Sequence, residues 1–375
     1  MKITMLELFH ISIPFMKPYK LSKVYGTVYD AEAVIVKIHT DEGITGYGEA
    51  DPMPPFTDDS PAGVMVAIRD YFGPRLLNED PRRIALLSAK MDQLMHGNYT
   101  AKGAVDMALY DILGKERSTP LYALLGGLYQ TKIPLLWPLG SGSPEEDIQQ
   151  IDEKMVEGYR TFMLKMGSLP IAEEVKRIKA IRDHFGSDIH VIVDVNQGWE
   201  VAEALEFISA LRGYSLDFIE QPISRWNVRG LRSIRERSAF PISADESLIS
   251  IHDAVMLIRE EAVDIFSIKV SKNAGLSRTK KIAILAEASG MKCLVNSMLE
   301  FGISQAASLH LGCTMPNLLD CGHCYMSTLR LSDDITDFSN RIRDATARLP
   351  DGHGLGIRID HKKIEKYSKG YLKVA

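Results

Sequence analysis

Cysteine is scarce in this chain. Only Cys293, Cys313, Cys321 and Cys324 occur among 375 residues, too few and too clustered for a disulfide framework. No apolar run approaches the roughly 18 residues needed to span a bilayer. The opening stretch, MKITMLELFHISIPF, alternates and carries His10 and Pro14, so it reads as a strand and not as the apolar core of a signal peptide. A cytoplasmic location and no membrane partner are expected. Excess charge is also small: the net charge is -5 with no dense Lys/Arg tract, which leaves no footprint for nucleic acid and points to small-molecule partners. The phosphate fingerprint G-x-G-x-x-G is missing too, since Gly140 and Gly142 lack the third glycine, and this weighs against a doubly wound dinucleotide fold. Cys321-Gly322-His323-Cys324 spells C-x-x-C, but it follows the apolar run Leu318-Leu319 instead of opening a helix, so reduced thiols are expected there and not a redox centre.

The apolar residues that are present fall into two rhythms. Residues 1 to about 50 alternate, with a turn at Asp41-Glu42-Gly43, and predict a small antiparallel sheet. Between Thr100 and Lys115, Ala101, Val105, Ala108, Leu109 and Ile112 recur at helical steps, and Gly126-Gly127 then breaks the pattern. From Lys132 the rhythm becomes strand, helix, strand. Candidate strands are Ile133 to Pro138, Thr161 to Gly167, His190 to Asn196, Asp217 to Pro222, Pro241 to Ser247, Asp264 to Val270, Lys292 to Met298 and Leu318 to Gly322, the count for a closed parallel barrel. Three regions are expected: 1–127 as an α+β unit, 128–330 as the barrel, and 331–375 as a tail returning to the first unit.

Five polar residues each close one of these apolar runs: Lys165, Asp194, Glu220, Asp245 and Lys269, at steps of 29, 26, 25 and 24 residues. That is one strand-plus-helix unit per step, which would deliver all five to the C-terminal rim of a barrel. Any one acid alone is explained by a helix cap or an ion pair. Three in register would repel one another unless positive charge sits among them. An all-oxygen set without His or Cys suits Mg²⁺, with Mn²⁺ as a substitute, better than zinc. Asn196 shares the face of Asp194.

Lys165 and Lys269 emerge from buried runs on either side of the acids. Burial and a nearby cation would lower a lysine's pKa and make it available as a base. The substrate that suits two opposed amines is a carboxylate bearing a proton on the adjacent carbon. That proton is too weakly acidic for lysine by on the order of twenty pK units, roughly 27 kcal/mol, so the negative charge must be stabilised as it develops.

These motifs resemble the enolase superfamily, and within it the muconate-lactonizing (muconate cycloisomerase) subgroup of the mandelate racemase/muconate lactonizing enzyme family. The matching pieces are the lysine motif ending in Lys165, the D-x-N of Asp194 and Asn196, the E-Q-P from Glu220, the D-E-S from Asp245, and Lys269 with Gly275 following. Asp106 to Asp111 with Gly114-Lys115, then Leu124 to Gly127, is similar to the family's capping-domain helix and its exit. The resemblance implies a modified (β/α)7β TIM-like barrel under an α+β N-terminal capping domain, and a homo-oligomer. It also implies Mg²⁺ on Asp194, Glu220 and Asp245, an acid/base pair in Lys165 and Lys269, and loops around Tyr19, Tyr25 and Phe56 that close over the substrate.

Met163 departs from the subgroup's usual K-x-K, removing one charge that would depress the Lys165 pKa. Some relatives acting on cyclic amino acid derivatives share that departure. Asp320 is half of the D-x-D with which dipeptide epimerases of the subgroup hold an ammonium group, or alternatively a turn cap. Glu300 matches a glutamate common in the subgroup, placed near Lys269 or capping the next helix. The resemblance implies an isomerase, with racemisation or epimerisation of an amino acid derivative or dipeptide first. Muconate-type cycloisomerisation, and a dehydratase of the succinylbenzoate synthase or hydroxyproline type, are the alternatives. A Schiff-base aldolase and a metal-free scaffold are the readings from other classes.

Overall fold

The computed structural model describes residues Met1–Ala375. Alternation in the first fifty residues yields three antiparallel strands, β1 (Ile3–Lys20), β2 (Thr27–Thr40) and β3 (Thr45–Ala50). Each face of this sheet serves a different core. Leu6, Leu8, Val34, Val36 and Ile38 pack on the helices of the first unit, while Ile11, Ile13, Ala33 and Ile35 join the large core of the barrel. Along β1 the change from even to odd positions coincides with a register shift at His10/Ile11. The helix predicted between Thr100 and Lys115 spans Tyr99–Glu116 and lies directly on β3. Gly48 permits that approach: a Cβ there would stand 1.8 Å from the Ala104 carbonyl oxygen.

Eight further strands follow in chain order: β4 (Lys132–Pro134), β5 (Leu136–Leu139), β6 (Thr161–Lys165), β7 (His190–Asp194), β8 (Phe218–Glu220), β9 (Ile242–Ala244), β10 (Ile265–Ile268) and β11 (Lys292–Val295). Strands β5 to β11 form one curled parallel sheet in sequence order. They are almost wholly buried, as strands covered on both faces must be. The intervening helices begin where the sequence supplies caps, for example Ser143 with Glu146 and Ser250 with Asp253. Most strands end sooner than the apolar runs do, because the last residues of each run bend into the rim.

The eighth strand is a correction. Leu318 to Gly322 makes no continuous ladder. The ring is instead closed by separate bridges of Leu318 to Cys293 and of His323 to Leu135, with Cys324 N donating to Val295 O (2.9 Å) and Leu136 N to His323 O (3.0 Å). The rim of this irregular strand therefore lies at Cys324 to Met326, later in the chain than the apolar run suggests. The C-terminal stretch is also shared between the two units. β12 (Ile342–Arg343) and β13 (Thr346–Arg348) form a hairpin on β4, whereas β14 (Ser368–Val374) pairs antiparallel with β1. Together these give a (β/α)7β barrel with a β-rich cap. No helix is long and apolar enough to cross a membrane.

His323 welds this closure. Its Nδ1 accepts from Val295 N (3.0 Å), so Nε2 carries the proton and donates to Leu319 O (3.2 Å). Burial pushes its pKa down to about 4. An unfolded histidine protonates near 6.5, so this residue costs the fold stability as pH falls from about 6.5 toward 4. Imidazole nitrogen shifts should report a neutral Nε2–H ring at pH 5. A cationic ring at that pH would contradict the closure described.

Candidate active site

Strand register brings the predicted residues together. Lys165 stands opposite Asp194 and Asp194 opposite Glu220, while Asp245 and Lys269 each follow the last residue of β9 and β10. All five are buried. The Lys165 ammonium donates to Asp194 Oδ2, and Lys269 Nζ donates to Asp245 Oδ2 (2.6 Å). Asp245 also accepts from Lys272 Nζ (2.7 Å), and Glu220 Oε1 accepts from Asn296 Nδ2 (2.7 Å). Asn196 supports Asp194 through its backbone N–H (3.1 Å) and its side-chain amide (3.2 Å). Asn196 and Gln221, each just past an acid, hold left-handed backbone at φ 45° and 34°, the kind of strain that clusters where side chains must be aimed.

The electrostatics follow from this crowding. Burial raises the Glu220 pKa well above the carboxylate range, and the charges of Asp194 and Asp245 raise it further. For Asp245 burial acts upward, but Lys269 and Lys272 outweigh it and bring the value down to about 2. The lysines, expected to be lowered by burial and a nearby cation together, are governed here by their carboxylate partners. Burial does act to lower the pKa of Lys165, but Asp194, then Tyr19 and Glu220, override it and the net shift is upward. Lys269 behaves alike, with Asp245 as its main opponent to burial. The amines are here the counter-ions of the acids.

No three acidic, histidine or cysteine side chains anywhere in the chain already surround one point as a cation cage. At this rim the reason is visible: Asp194 is turned onto Lys165, and Asp245 onto Lys269 and Lys272. The donor set still fits a hard divalent ion. It is all oxygen, and Glu220 Oε2 and Asn196 Oδ1 are buried with no hydrogen-bond partner.

Above the acids a cavity is lined by both Lys165 and Lys269. Tyr19, Tyr25 and Phe56 reach it from the cap, and Met163, which replaces the first lysine of K-x-K, lines it from β6. Phe56 places its ring centroid 4.2 Å from Lys269 Nζ. Tyr25 donates to Glu246 Oε1 (2.9 Å) and accepts from Gln197 Nε2 (2.7 Å), which fastens the first cap loop to the barrel rim.

The structure places Asp320 and Glu300 outside the cavity wall. Asp320 is exposed and outside the cavity wall, because the true rim of the eighth strand is occupied by Cys324 and Met326. Glu300 is buried, but it neither lines the cavity nor caps the next helix. It accepts from Met298 N (2.6 Å), Ser297 Oγ (2.5 Å) and Gln305 Nε2 (2.9 Å), bracing a loop that does line it. The four thiols are free and buried, and burial pushes Cys321 up to about 12, so the C-x-x-C has no thiolate to offer.

Two family models match the chain: "Mandelate racemase / muconate lactonizing enzyme, N-terminal domain" over residues 5–126 and "Enolase C-terminal domain-like" over 146–363. The chain belongs to the mandelate racemase/muconate lactonizing enzyme family of the enolase superfamily. A chloromuconate cycloisomerase of Cupriavidus necator is 34% identical over 98% of this chain and 100% of its own length. An N-succinyl-L-Arg/Lys racemase of Bacillus cereus is 33% identical over 98% of each. The crystal structure of the Bacillus cereus racemase superposes with a TM-score of 0.95, at 32% identity and covering 100% of both chains. A dipeptide epimerase of Enterococcus faecalis, solved in complex with Mg and a dipeptide, gives a TM-score of 0.89 at 31% identity over 95% of this chain and 99% of its own. Members of this family bind Mg²⁺, and these relatives are isomerases, so the chain is an enolase-superfamily isomerase.

Several residues of this family member's site escaped sequence reasoning. Lys272 lies three residues past Lys269 in K-V-S-K, a helical step, yet no strand pattern flags it. Arg177 is another. Wholly buried, it donates to Asp147 (2.7 and 3.1 Å), to Gly140 O (3.1 Å) and to Lys165 O (2.9 Å), anchoring the backbone beneath the first amine. Removing one member of such a pair leaves a buried unpaired charge. Asp147→Asn should lower stability by about 3–5 kcal/mol. Urea unfolding measures this, and a loss below about 1 kcal/mol would show that the pair carries little.

Proposed function

We propose that the chain is an Mg²⁺-dependent racemase or epimerase that moves the proton on the carbon next to a carboxylate, acting on an amino acid derivative. One observation carries this reading. Lys165 and Lys269, from strands with three others between them, line the same cavity. One amine can take a proton from one face of a substrate carbon and the other can return it to the opposite face. Cycloisomerisation needs only one amine, as acid. A racemase and a cycloisomerase both stand among the relatives, so kinship alone does not choose between these reactions.

Asp194, Glu220 and Asp245 would hold the Mg²⁺. Bound there, it supplies positive charge beside the substrate carboxylate as negative charge builds on it. The rest is work for this chain's own residues. Asn196 fixes the orientation of Asp194, Lys272 and Asn296 fix those of Asp245 and Glu220, and Phe56 shields the Lys269 amine from water. Met163 offers no charge to Lys165, so the poise of that amine rests on burial and its carboxylate neighbours.

Exchange in D₂O tests the reading. Wild type should place deuterium at the α carbon of both stereoisomers of a turned-over substrate. Lys165→Ala and Lys269→Ala should each lose turnover by about 10³- to 10⁴-fold, with at least one retaining exchange from a single stereoisomer. A dehydratase would instead release an unsaturated product, and full turnover by either variant would end the two-base proposal.

A further inference from the structure

Arg330 is a cation in the cavity wall that no carboxylate pairs. Its guanidinium lies 3.7 Å over the Tyr19 ring and 5.8 Å from that of Phe15, contacts that restrict it without using its N–H donors. Nη1 is buried with no hydrogen-bond partner. The backbone at this position is held on both sides, with Met16 N donating to Arg330 O (2.9 Å) and Arg330 N to Ser327 O (3.0 Å). The guanidinium is therefore placed beforehand and left with donors to spare.

The remaining wall has the same sign. Its other charged members are Lys165 and Lys269, and no Asp or Glu lines it. At the eighth-strand rim, Cys324 and Met326 line the cavity and supply no charge. Lys165 and Lys269 are already paired with Asp194 and Asp245, so a substrate with a free ammonium would meet an unpaired cation in Arg330 and no unpaired carboxylate in the wall. A second anion would meet a fixed, partly desolvated fork that suits a carboxylate bidentately.

We propose that Arg330 binds a second carboxylate, at the end of the substrate remote from the reacting carbon, and so selects dianionic substrates over those ending in a neutral or ammonium group. This rests on the cavity being the substrate site, but not on which reaction follows. The residue is a specificity determinant and takes no part in proton transfer.

Binding measured by calorimetry with Mg²⁺ present separates this from the catalytic reading, because it needs no turnover. The probes are N-succinyl amino acids, each compared with the corresponding N-succinamoyl compound, in which the terminal carboxylate is an uncharged amide. Free dipeptides and a quaternary ammonium acid such as proline betaine complete the set. Wild type should bind the dianion about 10- to 100-fold more tightly than its amide. Arg330→Met should abolish that difference, and Arg330→Lys, which keeps the charge but not the fork, should retain part of it. Equal affinity within the pairs, a difference that survives in Arg330→Met, tighter binding of the cationic probes, or no binding by any dianion up to millimolar concentration would each overturn the proposal. Loss of α-proton exchange in D₂O with the dianion preference intact would instead sink the racemase reading and leave this one standing.

Discussion

Three carboxylates buried side by side are the constraint that organises the rest of the barrel rim. At separations of a few ångströms, and away from bulk water, such charges repel by several kcal/mol per pair unless cations lie among them. Lys165, Lys269 and Lys272 meet that requirement here, and Asn296 and Asn196 direct hydrogen bonds onto the oxygens the amines do not reach. The orphaned Glu220 Oε2 marks where the compensation is incomplete. Positive charge beside the acids and free amines facing the substrate are thus linked: whatever cation relieves the carboxylates releases the lysines from them.

The cap matters for a second reason. Aromatic rings from its loops roof the cavity, so the position of the cap relative to the barrel sets the shape of the site. Polar contacts that need close fit fix that position. Asp106, on the long cap helix, accepts from Ser277 N (3.1 Å) and Oγ (2.6 Å) at the start of a barrel helix. Gly275, at φ 94°, has no room for a Cβ, which would lie 2.5 Å from the Asp106 carboxylate. Glu49, just before the cap loop that carries Phe56, accepts from Phe301 N (2.6 Å) and Ser304 N (3.0 Å) on the barrel side. The same sheet therefore supplies the roof and its fastening.

Much of this was legible because period and spacing survive in sequence. The strand-plus-helix step between Lys165 and Lys269 was enough to place five residues on one rim, and alternation was enough for β1 and β2. The eighth strand was misplaced because Leu318-Leu319 has the apolarity of a strand, whereas the segment that closes the ring pairs only at isolated points and carries His323 and Cys324. Asp320 fell with that register. Glu246, Asn296 and Arg330 were not singled out, since their roles depend on side-chain direction and on contacts between distant segments. The ion pairs that hold the lysine pKa values up escaped for a related reason: burial is readable from an apolar run, but which carboxylate an amine will meet is not.

The central claim is that the acidic trio is a cation site and the lysines are its neighbours. Mn²⁺ binding followed by electron paramagnetic resonance tests it directly. The account predicts one Mn²⁺ per chain in wild type and an affinity at least about 100-fold weaker in Glu220→Gln, with Asp320→Asn unchanged. No bound Mn²⁺ in wild type, or equal binding by Glu220→Gln, would contradict it.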